Sequence, residues 1–431
     1  MLWLDRLKVV LRTLAYREAW GFRPRQSLGM LRYLLSTRPT WRAGEAEMNV
    51  YSPPVGSAAY SRYLQGLRLM GQGAWVPLVV HISVTDRCPY RCRRCSNVTR
   101  SDGDPSVESL VRLAEQLRGA GTCRVALTGG EPLLRDDLPA IVEAFDQDLS
   151  PVLFTSGYGL DLPQARRLQQ AGLAAAYVSL DHFLAEEHDH IRGQTGAFDR
   201  AVDAIRACRE AGLYTAAQAV VGPSLWEEGR LDQFLVFCNS LGAHEVMLLE
   251  EVPICDGAAN AEKGDSPHLC EAPGGPFRQM GTVPFFHAAS SDLDETIRQR
   301  LAATQLRSAR NAAMPKVSSM SWLESPECLG CQAGFSLLYV TARGDVYPCD
   351  FVPLAFGNIH ELGVQAIHQR MLAALRRPSS TCLARQLRAI YGVKGGWPAS
   401  WEAAQAILRD YDPGPPSKLL QYLCHGCKHA P

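Results

Sequence analysis

Nothing in the chain approaches the roughly 18 consecutive apolar residues that a membrane-spanning helix needs. Its start, MLWLDRLKVVLR, interrupts the apolar positions with charges every few residues, so it reads neither as a span nor as a secretory leader. Charge of one sign is also missing: 44 Lys and Arg face 44 Asp and Glu, and no whole-chain field favours nucleic acid or another polyanion as partner. Fourteen cysteines are many, but they fall in spaced groups within 431 residues of ordinary composition, 46% hydrophobic and 20% charged. A disulfide-stapled secreted scaffold is therefore excluded, and a cytoplasmic, reducing setting with thiolates used as metal ligands is expected. The length suffices for two or three domains with a sizeable core.

What is present is organised around CPYRCRRC, which sets Cys88, Cys92 and Cys95 in a C-x3-C-x2-C array directly after the apolar run from Val76 to Thr85. Three clustered thiolates are one short of the four that usually hold a [4Fe-4S] cluster, so one iron would keep an open position for chemistry. A three-cysteine zinc site completed by a distant His is the alternative that spacing leaves open. Structural zinc sites usually pair cysteines as C-x2-C, however, and no His follows closely.

From Val76 the pattern alternates strand, turn and helix. Strands are predicted over Val79–Val84, Arg124–Thr128, Val152–Thr155, Ala176–Leu180, Thr215–Val221 and Glu245–Leu249, with helices over Val107–Ala120, Leu138–Asp146, Leu162–Gln170, Phe198–Glu210 and Asp232–Ser240. Six β/α units in series predict an α/β fold: a parallel sheet curled into a partial barrel whose functional face lies at the C-terminal strand ends. The second unit closes on Thr128-Gly129-Gly130-Glu131-Pro132, where paired glycines permit close backbone approach and the carboxylate can accept from an ammonium group.

With C-x3-C-x2-C and GGEP in register, the sequence resembles the radical S-adenosylmethionine (SAM) enzymes, which carry these motifs on a partial (β/α)6 TIM-type barrel. The resemblance implies SAM chelating the open iron, reductive cleavage to a 5′-deoxyadenosyl radical, and hydrogen abstraction from substrate, with a flavodoxin- or ferredoxin-type electron donor. It also implies SAM contacts from Gly129, Gly130 and Glu131, from Ser179 and Asp181 after the fourth strand, from Arg192 in an HDHIRG stretch, and from Gln218 on the fifth strand. The family's usual aromatic before the third cysteine is Arg94 here, with Tyr90 a substitute for packing on adenine. For Ser179 and Asp181 a helix cap after the strand is the competing reading.

Flanking segments extend this core. Residues 1–75 form a basic preface in which Leu4, Leu7, Leu11 and Leu14 recur at helical spacing, and up to Arg42 nine Lys or Arg stand against Asp5 and Glu18 only. Such an amphipathic helix suits peripheral contact with an anionic membrane, or a cap packed on the barrel. The barrel domain spans 76–314, with an irregular segment at 253–292 that holds Cys255, His268 and Cys270 and suits a substrate loop. Residues 315–431 carry Cys328, Cys331, Cys349, Cys382, Cys424 and Cys427. CQAGFSLLYVTARGDVYPC predicts a hairpin turning near Gly344 that brings Cys331 and Cys349 together. This C-x12-G-x4-C element resembles the SPASM and twitch extensions of the same family. The likeness implies at least one auxiliary [4Fe-4S] cluster with Cys331, Cys349, Cys424 and Cys427 as first-choice ligands, Cys328 and Cys382 remaining open. Zinc is again the alternative. The expected function is a radical SAM enzyme acting on a peptide or other small-molecule substrate or in a cofactor pathway. A lipid-modifying enzyme at the membrane surface and a non-catalytic metal-binding scaffold are the alternatives.

Overall fold

A computed structural model describes residues 2–92, 95–97, 103–252, 291–391, 398–409 and 411–423. The N-terminal part comprises α1 (Leu2–Leu14), α2 (Pro24–Ser36), the hairpin strands β1 (Thr40–Arg42) and β2 (Glu45–Glu47), and α3 (Ala58–Met70). The β/α units follow as β3 (Val79–Thr85), α4 (Val107–Ala120), β4 (Arg124–Gly129), α5 (Leu138–Leu149), β5 (Pro151–Thr155), α6 (Leu162–Gln170) and β6 (Ala175–Ser179). After them come α7 (Ala185–Arg192), α8 (Ala197–Glu210), β7 (Tyr214–Val220), α9 (Pro223–Trp226), α10 (Arg230–Ser240) and β8 (Glu245–Leu249). All six expected strands and all five expected helices are present. The HDHIRG stretch, for which no element was expected, forms α7.

Local chemistry explains the units. On α4, Leu110, Leu113, Ala114 and Leu117 share one buried face, the Ser106 side chain caps the N-terminus by accepting from Ser109 N, and Gly121 ends the helix at φ 92°. Strands β3 to β8 lie side by side in sequence order, all parallel. Right-handed β/α crossovers cover such a sheet with helices and leave the C-terminal strand ends to form one mouth.

The sheet continues beyond the six strands on both sides. After α11 (Ser291–Arg310), β9 (Val317–Ser319) adds parallel to β8 and leads into α12 (Met320–Leu323). At the opposite edge β10 (Leu337–Val340) adds parallel to β3 and pairs antiparallel with β11 (Val346–Tyr347). The expected cysteine hairpin therefore exists, and it is built onto the edge of the barrel sheet. It is followed by α13 (Val364–Leu375), α14 (Leu383–Tyr391), α15 (Trp401–Leu408) and α16 (Leu420–Leu423).

The N-terminal strand ends are closed by a buried ionic network. Lys316 Nζ lies 2.8 Å from Glu245 Oε2, and it donates to Tyr214 Oη at 2.9 Å and to the Glu47 carbonyl at 3.1 Å. The Glu47 carboxylate pairs with Arg124, whose Nη1 donates to Ser150 Oγ at 3.1 Å. Burial pushes the Glu245 carboxyl up, but Lys316 and the donated hydrogen bonds hold it below the ordinary value. Glu47 belongs to the N-terminal hairpin, so residues before the barrel help to plug its base.

Candidate active site

The cysteine loop leaves β3 at the C-terminal strand ends, with Cys88, Cys92 and Cys95 partly exposed. Its backbone is pinned from two sides. Gly130 N donates to the Thr85 carbonyl at 2.7 Å and Glu131 N to the Arg87 carbonyl at 2.8 Å. A Cβ on Gly130 would lie 2.1 Å from the Arg87 carbonyl oxygen, and one on Gly129, at φ 119°, would lie 2.2 Å from the Thr85 carbonyl oxygen. On the other side Gly193, ending α7 at φ 61°, stands where a Cβ would come within 2.4 Å of the Arg91 carbonyl oxygen. The close approach that Gly129 and Gly130 permit is thus to the cysteine loop itself, whereas the sequence suggested an approach to ligand.

Glu131 is 1% exposed, and its carboxylate accepts from Thr155 Oγ1 at 2.7 Å, Ser156 N at 2.8 Å, Ser156 Oγ, and Leu133 N at 3.2 Å. Four donors saturate two carboxylate oxygens. Through these bonds Glu131 ties the GGEP turn to the end of β5. Burial pushes its carboxyl up while the donors from Ser156 and Thr155 pull it down. Tyr90 is 1% exposed and stands edge-on to Tyr158 at 6.1 Å.

Asp181, Arg192, Ser179 and Gln218 do converge on the mouth. Asp181 Oδ2 pairs with Arg192 Nη2 at 2.7 Å and Asp181 Oδ1 accepts from Val220 N at 3.0 Å. Arg192 Nη1 reaches 3.8 Å from Cys92 Sγ, which sets a guanidinium, a natural carboxylate partner, directly beside the cysteine loop. Ser179 and Gln218 are register partners on β6 and β7, and the buried Gln218 Oε1 has no hydrogen-bond partner among the described residues. Asp181 is held by backbone and Arg192, and caps no helix.

The three loop cysteines suit a cluster. Burial pushes the Cys92 thiol up, against the neighbouring Arg192 cation, so the thiolate there gains from a bound metal centre. Among the described residues no three His, Cys, Asp or Glu side chains close in on a single ion. A four-iron cluster asks for less, because each cysteine binds a different iron.

The second cysteine group gathers beside the hairpin. Cys331 and Cys382 lie near enough to interact, which holds the Cys331 thiol up and the Cys382 thiol down. Cys349 lies close enough to Cys382 for their charges to interact, after burial as the larger influence. Cys382, one of the two cysteines that spacing alone does not assign, is the third member of this group. Cys328 lines a separate cavity with Tyr33, Trp322 and Tyr422. Cys424 and Cys427, like Cys255, His268 and Cys270, lie outside the described residues.

Beside the second cysteine group stands a polar cluster that sequence reading missed. His81 on β3 contacts both carboxylate oxygens of Asp350 through Nδ1 at 2.9 Å, and its buried Nε2 has no partner among the described residues. Phe154 packs 5.7 Å from the His81 ring and Tyr177 packs 5.1 Å from Phe154. Glu324 accepts from Tyr51 Oη at 2.6 Å, and burial raises its carboxyl to about 8. Two signals were available: His81 shares the alternate register of Ser83 and Thr85 along β3, and Asp350 follows Cys349 directly.

Residues 82–232 match the radical SAM superfamily and residues 331–385 match SPASM, an iron-sulfur cluster-binding domain. An AdoMet-dependent heme synthase of Methanosarcina barkeri (strain Fusaro / DSM 804) is 25% identical over 292 residues, 66% of this chain and 80% of that protein. The PqqA peptide cyclase of Granulibacter bethesdensis (strain ATCC BAA-1260 / CGDNIH1) is 29% identical over 171 residues, 39% of this chain and 45% of its own length. Among solved structures, Streptococcus suis SuiB superposes with a TM-score of 0.51 at 15% identity, covering 79% of this chain and 75% of that chain. The fold is thus that of known radical SAM structures, and the chemistry their domain implies needs a [4Fe-4S] cluster, SAM and an auxiliary iron-sulfur cluster. This chain is an enzyme that carries a radical SAM domain over residues 82–232 and a C-terminal SPASM-type iron-sulfur domain over residues 331–385.

Proposed function

We propose that the chain oxidises or cross-links a peptide or a cofactor precursor held in the barrel mouth between the two cysteine groups. The observation that carries this reading is the His81–Asp350 pair, set on β3 and on the residue after Cys349, with the second imidazole nitrogen unpartnered. Relatives named as heme synthase and PqqA peptide cyclase span both substrate classes.

In this reading Cys88, Cys92 and Cys95 hold the SAM-binding cluster, and Cys331, Cys349 and Cys382 hold three positions of the auxiliary one. When bound, cluster and SAM supply one-electron cleavage to a radical that removes hydrogen from substrate, the electron arriving from a flavodoxin- or ferredoxin-type donor. Arg192, fixed by Asp181, would suit the SAM carboxylate, and Ser179 and Gln218 would suit the ribose. His81 Nε2 would take the proton that a substrate radical loses, with the auxiliary cluster as the acceptor of its electron, and Asp350 would fix the ring and stabilise the imidazolium. Phe154 and Tyr177 exclude water from that face.

Anaerobically reconstituted protein given dithionite and SAM should release 5′-deoxyadenosine. Incubation with an iron coproporphyrin or with peptides should then give a product lighter by whole hydrogens in one class. Absence of deoxyadenosine from cluster-replete protein overturns the catalytic reading. Cleavage with no mass change in either class overturns the substrate reading.

A further inference from the structure

Leucines that recur at helical spacing normally face the core. In α1 they do the reverse: Leu4, Leu7, Leu11 and Leu14 are exposed, while Val9 and Thr13 are buried. The helix docks through polar contacts on its inner side. Arg6 Nη2 donates to the Ala309 carbonyl at 2.5 Å, and Thr13 Oγ1 meets Tyr60 Oη at 3.0 Å. α2 touches α1 and repeats the inversion, with Leu28, Leu31 and Leu35 exposed and Met30, Tyr33 and Leu34 buried.

Trp3 is 67% exposed and Trp20 is 80% exposed. The Trp20 indole nitrogen already donates to the Leu14 carbonyl at 2.8 Å, so the ring is held in place without needing water. Of twelve exposed large hydrophobic side chains among the described residues, nine fall between Trp3 and Leu35. That concentration marks an exposed apolar surface on α1, at Trp20 and on α2 among the described residues, and not scattered surface apolarity.

Charge identifies what covers it. Lys8, Arg12, Arg17, Arg23, Arg25 and Arg32 are exposed along the same two helices and their connection, whereas the carboxylates there, Asp5 and Glu18, are both half-buried. Leucines and tryptophans ringed by cations match a bilayer surface, where apolar side chains enter the acyl boundary and cations meet anionic headgroups. Beside Leu35 opens a cavity of about 970 Å3 lined by Arg25, Arg32 and Arg310, with Arg32 4.5 Å over the Tyr422 ring and Lys418 paired with Glu327 at 2.7 Å. Its cations suit a phosphate-bearing headgroup next to the apolar face.

We propose that α1, Trp20 and α2 dock this enzyme on an anionic phospholipid membrane as a peripheral, non-spanning surface. The reading stands independently of which substrate the barrel takes.

The test is flotation of the holoenzyme with vesicles of phosphatidylglycerol and phosphatidylcholine in equal parts, against phosphatidylcholine alone. Wild type should float with the anionic vesicles and be released by high salt. The triple variant Lys8→Gln, Arg17→Gln, Arg25→Gln should bind about a hundredfold more weakly. Leu7→Glu combined with Leu11→Glu should abolish binding while deoxyadenosine release stays unchanged and melting temperature moves little, because Leu7 is 38% and Leu11 58% exposed. Wild type that fails to float overturns the proposal, as does equal binding to neutral vesicles. A dimer that the Leu7→Glu, Leu11→Glu variant converts to monomer, without any flotation, would assign the face to a second copy of the chain and likewise overturn it.

Discussion

Replacing Gly130 by Ala adds one methyl group at the point where the GGEP turn crosses the cysteine loop. The added Cβ would stand 2.1 Å from the Arg87 carbonyl oxygen, 2.6 Å from its carbon and 2.9 Å from the Asp86 carbonyl carbon. These are backbone atoms and cannot rotate aside as a side chain would. Since Cβ atoms keep at least 3.0 Å from such neighbours, the two loops must part by about 1 Å, a displacement that costs on the order of a hundredfold in a positioned reaction. The stability at stake is smaller: the hydrogen bonds from Gly130 N and Glu131 N are worth about 1 kcal/mol each. Deoxyadenosine release per cluster should therefore fall about a hundredfold, with a modest change in melting temperature and no loss of auxiliary iron. Gly119→Ala is the control, because its Cβ would meet nothing within 4 Å. Wild-type cleavage by the Gly130→Ala protein would refute the claim that this crossing sets the loop's position.

Cys382→Ala should remove the auxiliary cluster, about four irons, while Cys328→Ala should retain it, since only Cys382 lies with Cys331 and Cys349; iron counting and paramagnetic resonance read the difference, and the reverse pattern would move the cluster toward the Cys328 cavity. Acid should weaken the fold through His188 and His368, which burial holds neutral with values lowered from 6.5 to about 4. Their contribution is complete above pH 6.5 and is lost as pH falls toward 4, where the unfolded chain takes up protons first, roughly 3 kcal/mol for each ring. Urea midpoints measured across that window should drop, with His368→Gln flattening the slope; an unchanged slope would refute the assignment.

Sequence by itself determined the barrel strands, the helices between them, the cysteine triplet and the cysteine hairpin. These are local signals: alternation in a strand, a 3.6-residue stripe in a helix, a glycine at a turn, and cysteines spaced along one short loop. The side-chain roles around the loop were not local. Whether Glu131 faces a ligand or Thr155 and Ser156 depends on where the end of β5 sits, and whether Tyr90 is open depends on Tyr158. His81 and Asp350 are 269 residues apart and meet only because β10 joins the edge of β3. The N-terminal leucine stripe was equally legible as a pattern, yet periodicity says only that a helix has two unlike faces. Which face the protein covers is decided by packing, and here Arg6, Val9 and Thr13 take the inside and leave the leucines out.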